Sequence, residues 1–503
     1  MRQQTGMAEQ QMKKLAKETA IYGVSSILGK FLNWLLMPFY TFYLVGGPAE
    51  YGIVTNLYAW TSLLLVALTY GMETGFFRFA NKNKENELNI YGNTLVSVGT
   101  TSVLFIFLCI IFTTSAANFL GYASHPEYIT MMGITVAIDA FACIPFAYLR
   151  YKNRPIKFAV LKFLYIVFNI VLNLFFLVAC PWLMIHAPQT ISWFYDPAYG
   201  VGYVVISNFI ATIIQTLFLV PYMFPGKFKL DFNLLKPILK YSFPLLILGI
   251  AGIMNQNLDK IIFPFLRPGE IGERELGIYG ASSKIAMVMM MFTQAFRYAY
   301  EPFIFAQNKD KDSLATYADA MKYFILFSLL IFLGMVLYMD FFKLFIEKNY
   351  WSGFSIVPIV LMSFIFQGIF FNLSLWYKLT DKTMYGAWFS ILGTVIIVLG
   401  NLMLVPKFSY TGAAWAAWAC YFVIMLVSYY FGQKHMPIKY DLKTIGLYSI
   451  VTVVLYTISL FINTPYVVVN IGLKSFLMLA FIIILVKRDF PLKNIPIINR
   501  FVK

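Results

Sequence analysis

Residues 21–45 read IYGVSSILGKFLNWLLMPFYTFYLV, an apolar run interrupted by one charge, Lys30. A hydrocarbon core of about 30 Å needs roughly 20 apolar residues per helix, so this stretch is long enough to cross a bilayer. Lys13, Lys14 and Lys17 ahead of it imitate the start of a signal peptide. The run is too long for a signal-peptide core, and no small-residue cleavage site follows. It is expected to stay as a first membrane span.

The same ruler, moved outward, marks fourteen spans. They run 19–44, 51–75, 91–113, 127–148, 157–180 and 200–222, then 238–261, 277–300, 317–339, 356–376, 384–405 and 411–432, with a last pair at 442–463 and 466–486. The runs are continuously apolar and do not alternate, which predicts helices and not a barrel. Composition agrees: 60% of the 503 residues are hydrophobic and 12% charged, against about 45–50% and about 25% in soluble domains. A soluble enzyme, a disordered chain and a secreted disulfide scaffold are thereby excluded. The fold class expected is an all-α polytopic membrane protein.

The net charge of +16 would suggest nucleic acid in a soluble chain. Here basic loops on the cytoplasmic side explain it, and no nucleic-acid partner is expected. With the N-terminus inside, 29 of the 39 Lys and Arg fall in inside segments, among them Lys82, Lys152, Lys162 and Lys434. Outside lie six: Lys260, Arg267, Arg274, Lys343, Lys348 and Lys407. Both termini should therefore be cytoplasmic. The four cysteines are scattered through apolar segments and the three histidines stand alone, so neither disulfide nor metal site is expected.

Gly202 is followed 29 residues later by Asp231, and Gly412 by Asp441 at the same interval, an offset of 210 at both ends. Gly52-Ile53 matches Gly277-Ile278 at an offset near 226, the longer loop at 181–199 accounting for the difference. Spans one to six thus read as a copy of spans seven to twelve, in parallel orientation. The organisation expected is an N-lobe over 1–228, a C-lobe over 229–437, and a helix pair with a basic tail over 438–503.

Particular residues carry a resemblance. Glu50-Tyr51-Gly52 is followed by Thr69-Tyr70-Gly71-Met72-Glu73-Thr74-Gly75 and then Phe77-Arg78-Phe79. Asn257-Leu258-Asp259-Lys260 precedes Leu276-Gly277-Ile278-Tyr279-Gly280 and Lys284, and Thr411-Gly412-Ala413-Ala414-Trp415-Ala416 opens span twelve. Together these resemble the polysaccharide-transporter branch of the multidrug/oligosaccharidyl-lipid/polysaccharide exporter superfamily. The resemblance implies a flippase for O-antigen or capsule repeat units in the bacterial inner membrane, multi-pass and not an enzyme. Its substrate would be a lipid-linked oligosaccharide on polyprenyl pyrophosphate, and its neighbours membrane lipids and glycan-assembly proteins.

An ionisable residue within the bilayer is a functional candidate, because a central charge is disfavoured by roughly 2.5–3.5 kcal/mol. Lys30 and Lys284 are candidates for a cationic lumen that holds the pyrophosphate, with Arg297 and Arg78 nearer the inner boundary. The alternative for Lys30 and Lys284 is snorkelling or a lobe-internal ion pair, and for Arg297 and Arg78 a role as topology anchors. Asp139, in the middle of span four, could carry a coupling ion or pair with a lysine. Asp259 beside Lys260, and Glu73 at an inner span end, complete the ion-coupling candidates, with local pairing or an interfacial place as their alternatives. Lys474, in the last pair, reads as structural.

The stretch from Gly23 to Gly29-Lys30 imitates a phosphate loop, but Phe31 stands where Ser or Thr is needed. No ATP site or other cofactor is expected, leaving a proton or sodium gradient, or substrate flow, as the drive. Asp310-Lys311-Asp312 reads as solvated loop charge. Two rivals remain. A cation-coupled drug antiporter of the same superfamily would favour an acidic lobe, whereas span one carries Lys30. A membrane glycosyltransferase or polymerase would need sizeable outside loops, and the one at 181–199 offers only Asp196 and His186.

Overall fold

The computed structural model describes residues 29–307, 313–462 and 464–489, with Asn33 left aside. Lys13, Lys14, Lys17, Gly23, Asp310-Lys311-Asp312 and the tail from residue 490 lie outside the described residues. Within them the chain is helical and shows no strand. The first span is helical at 29–32 and 34–43 (α1). Then come Pro48–Lys82 (α2), Lys84–Ile111 (α3), Pro126–Tyr151 (α4), Pro155–His186 (α5) and Val201–Met223 (α6). Phe232–Leu266 (α7), Glu270–Tyr298 (α8), Leu314–Leu337 (α9) and Lys348–Leu379 (α10) follow.

Met384–His435 is two helices joined at Ser409, where φ is 53° and ψ −138°. It supplies α11 (384–408) and α12 (410–435). Leu442–Leu460 (α13) and Val467–Arg488 (α14) end the series. Over the described residues each expected span overlaps one of these helices, the first only from residue 29, and this is a multi-pass, all-α membrane protein.

Local chemistry sets the breaks. Pro126 and Pro155 stand at the first helical positions of α4 and α5, where a missing N–H leaves no hydrogen bond unmade. The two aspartates that marked the repeat turn out to be caps. Asp231 accepts from the Asn233 N–H at 2.8 Å at the head of α7. Asp441 accepts from the Thr444 N–H at 3.1 Å at the head of α13. Each satisfies an orphan donor of its helix.

By packing, the described residues fall into two compact units. One holds residues up to Ala281 together with Ala387–Cys420; the other holds Ser282–Gly386 and residues from Tyr421 onward. These borders differ from the lobe borders expected after residues 228 and 437. Inside the first unit the duplicated glycines meet. A Cβ on Gly52 would stand 1.9 Å from the Glu273 carbonyl oxygen, and one on Gly277 would stand 1.8 Å from that of Pro48. The contact is reciprocal, each glycine meeting backbone of the other helix. Only glycine lets the α2 and α8 backbones come so near, the usual device of helices packing in lipid.

The connector after α6 is strapped to the N-terminal end of α3. The Tyr91 hydroxyl donates to the Met223 carbonyl at 2.7 Å, the Asn89 side chain accepts from Lys229 N–H at 2.8 Å, and Asn93 accepts from Asp231 N–H at 2.9 Å. Backbone groups of an irregular segment thereby find partners without water. In the second unit, Asp340 ties α14 to the loop after α9: it accepts from Lys343 at 2.8 Å and from Lys474 at 3.0 Å. Lys474 is thus structural.

Candidate functional site

The four cationic candidates divide between the two units. Lys30 lies on α1, half-buried, in the first; the neighbouring Gly29 abuts Ile166 of α5. Lys284 lies on α8, half-buried, in the second. Arg297 sits further along α8 with its guanidinium 5.5 Å from the centre of the Phe371 ring. Arg78 is exposed near the end of α2 and lies 4.2 Å over the Tyr241 ring. Each of the two arginines therefore has an aromatic face as a neighbour, a contact that fixes its direction.

The three acids have three different surroundings. Asp259 is 2% exposed and takes bonds from the Tyr279 hydroxyl, from the Lys260 N–H at 2.9 Å and from the Lys260 ammonium at 3.2 Å. Lys260 also lies 5.3 Å from the Tyr279 ring. That is a filled clamp between α7 and α8, with every acceptor engaged. Glu73 pairs with Arg150 across the inner ends of α2 and α4. Asp139 makes no hydrogen bond among the described residues; its neighbour in charge is Lys162 of α5.

Lys162 was counted with the loop lysines, but it stands two turns inside α5. Its ammonium lies 4.1 Å from the Phe146 ring and feels Asp139, Cys143, Glu73 and Arg150. A lysine within the expected span 157–180 was the signal available in the sequence. From this point polar side chains continue through the unit. Tyr165, also in reach of Asp139, donates to Asn208 at 3.2 Å, and Asn208 donates to the Tyr58 hydroxyl at 3.0 Å. A cavity of about 30 Å³ lies against Tyr58, Thr61, Thr135 and Asn208, room enough for a water molecule. No sequence pattern foretold Tyr165 or Asn208, because each is a single polar residue in an apolar run.

The arrangement places acids beside bases, Asp259 with Lys260 and Glu73 with Arg150, with Lys162 in electrostatic reach of Asp139. Among the described residues no cluster of three His, Cys, Asp or Glu side chains is placed to bind a metal.

Comparison with known proteins now bears on this geometry. A family model described as "Polysaccharide biosynthesis protein" matches residues 15–306, more than half of the chain. The chain belongs to the polysaccharide biosynthesis protein family. Among solved structures, the lipid II flippase MurJ in an inward closed conformation superposes with a TM-score of 0.73 at 12% identity, over 93% of this chain and 99% of that one. An inward-facing multidrug resistance MATE transporter of the MOP superfamily gives 0.64 at 16%, over 80% and 94%. The MATE transporter DinF-BH in complex with R6G gives 0.59 at 14%, over 84% and 96%. At such identities the likeness is one of fold: that of the exporter superfamily suggested by the sequence. A comparison with curated protein sequences gives no match.

Proposed function

We propose that this family member is a flippase. It moves a lipid-linked oligosaccharide, carried on polyprenyl pyrophosphate, across the bacterial cytoplasmic membrane by alternating access. The observation that carries the reading is the union of two findings. The family is one of polysaccharide biosynthesis, and 93% of the chain follows the fold of a lipid flippase. O-antigen or capsule repeat units are the substrate class, both termini are cytoplasmic, and glycan-assembly proteins supply and receive the cargo. No covalent step is involved.

In this reading Lys30 and Lys284 bind the pyrophosphate, whose oxygens accept charge-assisted hydrogen bonds from ammonium groups. Two like charges facing a hydrated lumen repel one another, and an entering dianion relieves that repulsion. Screening by salt keeps the binding moderate, so the cargo is released on the far side. Arg297 and Arg78 guide it near the inner boundary. Asp139 exchanges a coupling cation as its exposure changes, with Lys162 as the counter-charge when the carboxylate is empty.

The test is surface polysaccharide in a null strain complemented with each variant, normalised to membrane protein level. Lys284→Ala abolishes or sharply reduces surface glycan, Lys284→Arg keeps part of it, and Lys30→Ala is milder. Full activity of the double alanine variant removes the cationic-lumen mechanism. The MATE likeness supports a second reading, a cation-coupled drug antiporter. It predicts drug sensitivity on deletion with surface glycan intact, the reverse of the outcome expected here.

A further inference from the structure

At the inner end of α2 the chain turns into α3 through Asn83 alone. The long apolar helix that precedes this turn places it at the level of the lipid headgroups. Here α2, α3 and the first turns of α7 leave a cleft of about 330 Å³, lined by Phe79, Lys82, Asn83, Ile90, Leu234 and Ile238. All six belong to one compact unit. The lining is two-sided: four apolar side chains on the walls, an ammonium and a carboxamide at the rim.

Water is a poor occupant of such walls, since it needs two to four polar partners. The rim has a different need. Lys82 is exposed and makes no ion pair or hydrogen bond among the described residues, and the Asn83 side chain makes no hydrogen bond either. The nearby carboxylate of Glu87 is already taken by Lys152. One turn back, Arg78 lies over Tyr241 of α7 and adds positive charge, against which stands the exposed Glu85.

An occupant must therefore bring hydrocarbon and a negative group together, at headgroup depth. We propose that this cleft binds an anionic phospholipid of the leaflet faced by the basic loops. Its phosphate accepts from Lys82 and Asn83, and one acyl chain lies on Phe79, Ile90, Leu234 and Ile238. Bound there, the lipid braces α2 against α7. The site does not rest on the transport reading, since its lining holds neither Lys30 nor Lys284.

The test uses the full chain purified in detergent, with its melting temperature followed during titration. Phosphatidylglycerol raises the melting temperature saturably, whereas phosphatidylcholine with the same chains and inorganic phosphate do not. A basic residue at a membrane surface contributes about 1 kcal/mol, so Lys82→Gln moves the half-saturating phosphatidylglycerol concentration up about fivefold. Leu234→Trp, which fills the cleft from a half-buried position, removes saturation while the lipid-free melting temperature is kept. Equal stabilisation by phosphatidylcholine overturns the headgroup claim. Equal stabilisation by phosphate alone makes this a soluble-anion site and overturns the lipid. An unshifted Lys82→Gln titration overturns the cleft as the place.

Discussion

A lysine two turns inside a membrane helix is tolerated when something shares its charge, and Lys162 has Asp139 opposite it. Single substitutions leave one charge facing apolar surroundings, which is more disruptive than removing both. Lys162→Met should therefore lower the melting temperature of the purified protein, and adding Asp139→Asn should recover part of the loss. A double-mutant cycle isolates that coupling; simple additivity would mean that the two charges do not interact. Functionally, Asp139→Asn should weaken the response of liposome transport to an imposed cation gradient while transport itself needs no ATP. An unchanged gradient response would leave Asp139 a structural group. Asp259, clamped by Tyr279 and Lys260, should instead answer to substitution with lost stability and not with altered gradient dependence.

At the level of elements, the crossing of α2 and α8 depends on the absence of two methyl groups. Gly52→Ala places a Cβ against the Glu273 carbonyl, and Gly277→Ala one against that of Pro48. Both are backbone atoms and cannot step aside. Each variant should destabilise by about 1–3 kcal/mol, the scale of overpacking, read as a lower melting temperature and a lower yield.

The tie on α14 makes a pH-dependent prediction. Burial pushes the Asp340 carboxyl up, but bonds from Lys343 and Lys474 outweigh it and hold the group below its ordinary value of 3.8. A depressed carboxylate contributes stability above its unfolded value and loses it as pH falls through the folded one. The difference in melting temperature between the native chain and Lys474→Met should thus be present at pH 7 and shrink under strong acid. A difference that stays constant across that range would show that Lys474 acts by packing alone. Both side chains are largely shielded, so the cost of burying the charges offsets much of what the pairing contributes.

For the whole molecule the prediction is topology. Single cysteines at Lys82, Lys152 and Lys434, in a chain freed of Cys109, Cys143, Cys180 and Cys420, should be protected from an impermeant thiol reagent added to intact cells. One at Pro188 should be labelled. Labelling of the first three from outside would reverse the orientation and, with it, the leaflet assigned to the phospholipid cleft.

How much of this was legible beforehand follows from the physics of each feature. The spans could be read from the linear chain because a bilayer imposes one length and one polarity on every crossing segment, independent of the neighbours. That Asp231 and Asp441 cap helices, and that Gly52 and Gly277 sit at a close crossing, are local requirements that the spacing in the sequence already marked as special positions. Lys30, Lys284 and Asp139 could be marked as candidates by the same solvation argument. Which charges meet is another matter. That Asp139 faces Lys162, that Asp259 is sealed by Tyr279, and that Lys82 overlooks an apolar cleft depend on helix rotation and on contacts between residues distant in sequence. Hydropathy along the chain is blind to rotation about a helix axis; only packing of one helix on another selects it, and so only the tertiary structure decided those partners.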